Sequence, residues 1–237
     1  MKNNCIYSFL LDKTPRKDSR AFELGLKCVQ KYASKINCDF ILHTEKTVNV
    51  GKSYMAERLF AYTLLQEYER VLCLGLDIII RDFAGNIFED CPDINKVYIL
   101  DERFHYSQHN ESWNYYWTNI LANHPEIRRP NLNVNSIPYY NADVVLCSYP
   151  NKILYENMND WFDGILGDQD YVNYKIFKHN ISIAPLPIKY NTITCHVETP
   201  ACKPEYKAGM KDSAYFLHYS SPAEKFAMIN EWDGKII

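Results

Sequence analysis

The chain has 237 residues, 47% of them hydrophobic and 23% charged, enough for one sizeable core in a single domain spanning 1–237. Its net charge is −3 with the basic residues scattered, which lacks the footprint of a phosphate-tracking nucleic-acid binder. No stretch approaches the roughly 20 apolar residues that cross a bilayer, so neither a nucleic-acid partner nor a transmembrane segment is expected.

The N-terminal apolar run is closed by Asp12 and Lys13, too short for the apolar region of a secretory signal, and reads as a first strand. A cytoplasmic location is expected. After a turn at 13–17, Asp18 or Ser19 can cap a helix, in which Phe22, Leu26, Val29, Ala33 and Ile36 recur in steps of four and three and form one apolar stripe. A strand at 38–43 follows, then a helix over 55–68 and the most apolar strand, 71–74. Further strands are expected at 96–100, 142–147, 181–184 and 214–218, with helices near 152–162, 171–177 and 222–232. This alternation predicts an α/β fold, a mostly parallel central sheet flanked by helices, with ligands beyond the carboxyl ends of the strands.

Segment 102–140 is irregular and carries Phe104, His105, Tyr106, Trp113, Tyr115, Tyr116 and Trp117 among many asparagines. Such a segment suits an acceptor-sugar wall, where aromatic faces stack on the ring and amides meet its hydroxyls. A helix over 112–123 with core aromatics is the alternative. The eight cysteines are spread through apolar segments without paired spacing and read as reduced thiols. Cys195, His196 and Cys202 lack the second ligand pair of a zinc site.

Asp77 interrupts the apolar run 71–80, where an uncompensated carboxylate carries a heavy desolvation cost. A divalent cation at a strand end compensates it, since hard oxygen ligands suit Mg²⁺ or Mn²⁺, which also bridge phosphates. A turn aspartate, with Gly75 supplying an unusual backbone angle, is the alternative.

Segment 68–89 resembles the donor-site signature of glycosyltransferase family 8 and its GT-A (nucleotide-diphospho-sugar transferase) relatives. There a tyrosine and an apolar strand precede an Asp-x-Asp motif, and an Ile/Leu-Phe-Glu follows. Here Tyr68, the strand, Asp77 and Ile87-Phe88-Glu89 match, while Gly75 stands where the family has the first aspartate. Four later segments keep the family's order. Tyr140-Asn141-Ala142-Asp143 is similar to its Phe-Asn-Ala/Ser-Gly strand, with Asp143 in place of the glycine. Asp168-Gln169 and Asn173 resemble its Asp-Gln-x-x-x-Asn segment. Leu186-Pro187 with Tyr190-Asn191 resembles its Leu-Pro-x-x-Tyr/Trp-Asn strand, and His218 and Lys225 take the places of its metal-binding histidine and phosphate-binding lysine.

The resemblance implies a glycosyltransferase that moves a hexose from a nucleotide-sugar donor, expected to be a UDP-sugar, to a carbohydrate or glycosylated protein acceptor, with retention. It implies Mn²⁺ (or Mg²⁺) on Asp77 and His218, donor binding by Tyr7, Arg58, Gly75, Asn141 and Lys225, and Asp168 and Gln169 beside the reacting carbon. The chemistry is coherent: a cation, Lys225 and Arg58 would oppose charge developing on the leaving phosphate, while Asp168 and the Gln169 carbonyl would face an oxocarbenium-like centre. Asp168-Gln169-Asp170 also suits the first turn of a helix, and His218 a hydrogen-bonded strand end. With Gly75 in the motif, either Asp101 substitutes for the missing carboxylate or the metal binds weakly. An impaired nucleotide-sugar-binding module is therefore the alternative function. A nucleotidyltransferase is disfavoured because the N-terminal region has no glycine-rich basic phosphate loop.

Overall fold

The computed structural model describes residues 1–11, 19–50, 54–105, 111–156, 158–198 and 210–235. The expected turn at 13–17, Asp18 and the Ser19 side chain as caps, Tyr106, Cys202 and the side chains of Phe104 and His105 lie outside them. In chain order the elements are β1 (Lys2–Phe9), α1 (Ser19–Lys35), β2 (Asp39–His43), α2 (Ala61–Glu67), β3 (Tyr68–Leu74), β4 (Ile78–Ile80), α3 (Ile87–Asp90), β5 (Val97–Asp101), α4 (Glu111–Asn123), β6 (Tyr140–Ser148), α5 (Asp168–His179), β7 (Ile183–Pro185), β8 (Thr192–Ile193), α6 (Thr194–Glu198), α7 (Met210–Ser213), β9 (Phe216–His218) and α8 (Pro222–Trp232).

A central sheet has the order β2-β1-β3-β6-β5-β7, and a smaller one the order β4-β9-β8. In the central sheet all strands run one way except β6, which is antiparallel to both β3 and β5. The central strands read as nearly continuous apolar runs because both faces are covered. Cys5, Tyr7, Val71, Cys73, Val145 and Cys147 face one core with α2, α4 and α5. Their neighbours Ile6, Leu72, Leu74, Val144 and Leu146 face the other core with α1, α3 and the small sheet, as the two-residue period of a strand requires.

The strand expected at 71–74 forms as β3, extended back to Tyr68. It ends at Leu74, and the chain turns through Gly75, Leu76 and Asp77 and resumes as β4 in the other sheet. Helix α1 holds this turn closely, because a Cβ at Gly25 would lie 1.9 Å from the Leu76 carbonyl oxygen. Several expectations need correction. Val29 and Ala33 of the expected α1 stripe are buried, but Phe22, Leu26 and Ile36 sit at its margin and Phe22 reaches the cleft described below. The helix expected at 55–68 is a 3-10 segment, Tyr54–Phe60, followed by α2. The one expected at 152–162 is instead short 3-10 turns, Tyr149–Leu154 and Met158–Asp160. Pro150 starts the first, and Asn and Asp side chains compete with helical backbone bonds. Helix α5 begins at Asp168, three residues before the expected 171–177. Helix α8 matches 222–232, closed by a capping box between Ser221 and Glu224.

Candidate active site

The strand ends and the turn at 75–77 open onto a cleft of about 1010 Å³. Reversal of β6 is what composes it. The N-terminal end of this strand lies between the C-terminal ends of β3 and β5, with Leu74 opposite Val144 and Asp101 opposite Tyr140. The β5/β6 register shifts between Ile99 and Leu100, a type of irregularity that re-aims side chains beside active sites. Asn141 and Asp143 both line the cleft.

Three side chains converge at the β3 end. Ligand-capable atoms of Asp77, Asp143 and His218 lie within 4.8 Å of one another. His218 Nε2 stands 3.3 Å from Asp143 Oδ2 and 3.7 Å from Asp77 Oδ1. Its orientation is set from behind. Asn141 Nδ2 donates to Glu102 Oε1 (2.8 Å), Asn191 Nδ2 donates to Asn141 Oδ1 (2.9 Å), and Asn191 Oδ1 meets His218 Nδ1 at 3.1 Å. With the amides so directed, Asn191 Oδ1 accepts from Nδ1–H and Nε2 is left facing the two carboxylates, where it carries a proton toward them or, once deprotonated, can take a metal, the outer-shell arrangement of a metal-binding imidazole. Burial opposes charge on His218, but Asp77 and then Asp143 lift its pKa above the ordinary imidazole value. Two carboxylates and an imidazole suit Mn²⁺ or Mg²⁺.

Lys225 projects from the first turn of α8, its Nζ 3.1 Å from Asp77 Oδ2. Arg58, in the 3-10 segment before α2, is buried; its Nε contacts Asp168 Oδ2 and its Nη2 lies 3.3 Å from Asp143 Oδ1. Burial works to raise Asp143, but His218, Arg58 and Lys225 hold it below the usual carboxylate range. Asp168 is pushed up by its own burial and then by Asp143, with Arg58 opposing.

Helix α5 delivers Asp168 and Gln169 to the cleft from its first turn. Gly167, at φ 59°, makes the entry possible, and a Cβ there would meet Met55 Sδ at 2.4 Å. Asn173 locks the helix to β6, receiving Tyr140 N–H and donating to Tyr140 O, both at 2.8 Å. Gln169 Oε1 accepts from Asn141 Nδ2 at 3.2 Å while its Nε2 donates to Glu102 Oε1 at 3.1 Å.

The structure therefore places Arg58, Gly75, Asp77, Asn141, Asp168, Gln169 and Lys225 along one cleft, with His218 immediately behind Asp77 and Asp143. Tyr7 is not on its wall: the ring is buried and the hydroxyl donates to the Glu57 carbonyl at 2.7 Å. Asp101 does not serve as the substitute carboxylate, since it accepts from Arg103 N–H and Tyr139 N–H and pairs with the Arg103 side chain. Segment 102–140 is divided. Helix α4 forms and both its tryptophans are core, Trp117 donating to Pro138 O at 3.1 Å and Trp113 stacked on Tyr139, as the core-helix alternative expects; the half-buried Tyr116 lines the cleft, where Trp113 shows only an edge. Among the described residues Cys195 and His196 join no metal-binding cluster.

Two site residues escape a linear reading. Asp143 departs from the resembled motif, but its two-residue spacing from Asn141 is the signal that both share a strand face. Glu102 is buried beside Asn141 and Gln169, and burial raises its carboxyl to about 7. It lies in a stretch without periodicity and leaves no local sign.

No family model matches the sequence, and no curated protein matches it. Solved structures do. A glycosyltransferase involved in glycosylation of the major capsid of PBCV-1 aligns with TM-score 0.57 and 15% identity over 95% of this chain and 98% of that one. The galactosyltransferase LgtC, in complex with donor and acceptor sugar analogs, aligns with TM-score 0.54 and 14% identity over 98% and 97%. The bifunctional glycosyltransferase WbbM aligns with TM-score 0.60 and 12% identity over 96% of this chain and 50% of its own. Identity this low makes the likeness one of architecture, and the architecture of this chain is the GT-A glycosyltransferase fold.

Proposed function

We propose that the protein is a metal-dependent glycosyltransferase that moves a hexose from a UDP-sugar to a carbohydrate or glycosylated protein acceptor, with retention. The observation that carries this reading is the convergence of Asp77, Asp143 and His218 within 4.8 Å, in a GT-A fold and beside Lys225. When bound there, a divalent cation supplies charge neutralisation to the diphosphate of the donor.

The chain's own residues supply the rest. Transfer breaks the bond between the anomeric carbon and the phosphate oxygen, leaving negative charge on the diphosphate and positive charge on the sugar. Lys225 is placed to exchange its contact with Asp77 for a phosphate oxygen, an interaction that strengthens as the leaving group departs. Asn141 and Gln169, already held by hydrogen bonds to each other and to Glu102, offer fixed dipoles to the sugar. Asp168 presents negative charge on the same wall, oriented by Arg58. Tyr116, half-buried on the cleft wall, offers aromatic surface to the acceptor ring.

Calorimetric titration of UDP with and without Mn²⁺, followed by donor-hydrolysis and transfer assays over a panel of UDP-hexoses and acceptors, tests the reading. Metal-dependent UDP binding with hydrolysis or transfer is expected, and the anomeric configuration of the product by NMR reads retention. Metal-dependent binding with no turnover on any donor would favour the nucleotide-sugar-binding module. Binding indifferent to metal would overturn the proposed site.

A further inference from the structure

We propose that Asp143 of β6 supplies the metal-ligating carboxylate that the β3 end lacks at position 75, so that Gly75 and Asp143 form a reciprocal pair in which either strand can carry it. The inference rests on the metal-dependent reading above and assigns the ligand set within it.

The two positions are neighbours across an antiparallel strand pair. Leu74 faces Val144, and one step further the Gly75 N–H donates to the Asp143 carbonyl at 2.8 Å. Side chains at facing positions of such a pair have Cβ atoms about 5 Å apart, so a carboxylate from either strand reaches the same volume. In this chain Asp143 fills it. A Cβ built on Gly75 would lie 3.0 Å from Asp143 Oδ1 and 2.8 Å from Asp77 Oδ1. A side chain at 75 would therefore point into the volume that the Asp77 and Asp143 carboxylates occupy, and both would have to shift to admit it.

His218 points to a ligand independently of the acidic pair. It is fully buried, Nδ1 is engaged by Asn191, and Nε2 has no hydrogen-bond partner of acceptable geometry while facing both carboxylates. A buried imidazole nitrogen so aimed completes a three-ligand set with Asp77 and Asp143. The relocation also has a consequence. A carboxylate on β6 touches Arg58, whose other ion pair is with Asp168. The metal ligand and the carboxylate at the α5 N-terminus are thus linked through one guanidinium.

The test compares the full-length wild type with Asp143→Gly, Asp143→Asn, Gly75→Asp and the exchange Gly75→Asp/Asp143→Gly. Mn²⁺ binding is followed by electron paramagnetic resonance in the presence of UDP, with circular dichroism and thermal melts reporting the fold. Each Asp143 variant should bind Mn²⁺ at least about tenfold more weakly than wild type, because a charged ligand is lost. Gly75→Asp alone should be destabilised in the absence of metal, because it sets a third carboxylate beside Asp77 and Asp143, and the exchange, which restores two, should recover Mn²⁺ affinity to within about threefold of wild type, on the order of 0.7 kcal/mol. Wild-type affinity in Asp143→Asn, or an exchange variant no better than Asp143→Gly while folded, overturns the reciprocal pair and leaves the metal-dependent reading standing. A wild-type protein that binds no Mn²⁺ with UDP overturns that reading itself. If Asp143→Gly alone fails to fold, the exchange variant and Asp143→Asn still decide between these outcomes.

Discussion

Glu102→Gln should stabilise the protein, and only at neutral and alkaline pH. Glu102 follows β5 directly, is 6% exposed, and its Oε1 accepts from Asn141 at 2.8 Å and Gln169 at 3.1 Å. Those donors favour the ionised form, but burial outweighs them and raises the carboxyl from 4.5 to about 7. Below pH 4.5 the folded and unfolded chains both hold the proton, and the group contributes no pH dependence. Between pH 4.5 and about 7 the unfolded chain releases its proton while the folded one retains it, so stability falls as pH rises. Above about 7 the loss is complete, and at about 1.4 kcal/mol for each tenfold difference in proton affinity it amounts to about 3 kcal/mol. Glutamine keeps an acceptor oxygen for Asn141 and Gln169 and carries no charge. Urea unfolding in EDTA should show Glu102→Gln more stable than wild type by about 2–3 kcal/mol at pH 8.5, with the gap closing by pH 4.5 and unchanged m-values. A gap of the same size at both pH values, or a less stable variant at pH 8.5, would refute the argument.

Two further outcomes follow from the same network. Arg58→Met removes the cation between Asp168 and Asp143 and should lower stability at neutral pH by about 2–4 kcal/mol, since it strands the buried Asp168 carboxylate, while Asp143 keeps His218 and some solvent. Arg58→Lys should recover only part of that, because one ammonium cannot reproduce the two-armed contact; a loss under about 1 kcal/mol by urea titration would contradict the pairing. Asn191→Ala frees His218 Nδ1 from its partner and should weaken Mn²⁺ binding in the presence of UDP by about ten- to a hundredfold. Unchanged affinity by calorimetry would remove Asn191 from any orienting role.

Much of the fold is legible along the chain because local patterns carry it. The apolar runs at 71–74 and 142–147 are strands, and Ser221, Glu224 and the pattern that follows them mark α8. Strand direction is not legible. An apolar run reads the same either way, so nothing in 142–147 shows that β6 is reversed. That reversal decides the site. A parallel β6 would carry Asn141 and Asp143 to the opposite end of the strands; reversed, it sets them against the C-terminal ends of β3 and β5. Asp77 was visible as one charge in an apolar run, because the desolvation cost of such a charge is a local fact. Gly75 and Asp143, read one at a time, are two departures from the resembled motif, and each argues for a weakened metal site. Only the pairing of their strands, with Gly75 N–H on the Asp143 carbonyl and the Asp143 carboxylate beside the Gly75 Cα, makes them a single feature. A substitution that looks like loss in one strand is balanced by a gain 68 residues on, and strand pairing is the physical reason the two positions must be read together.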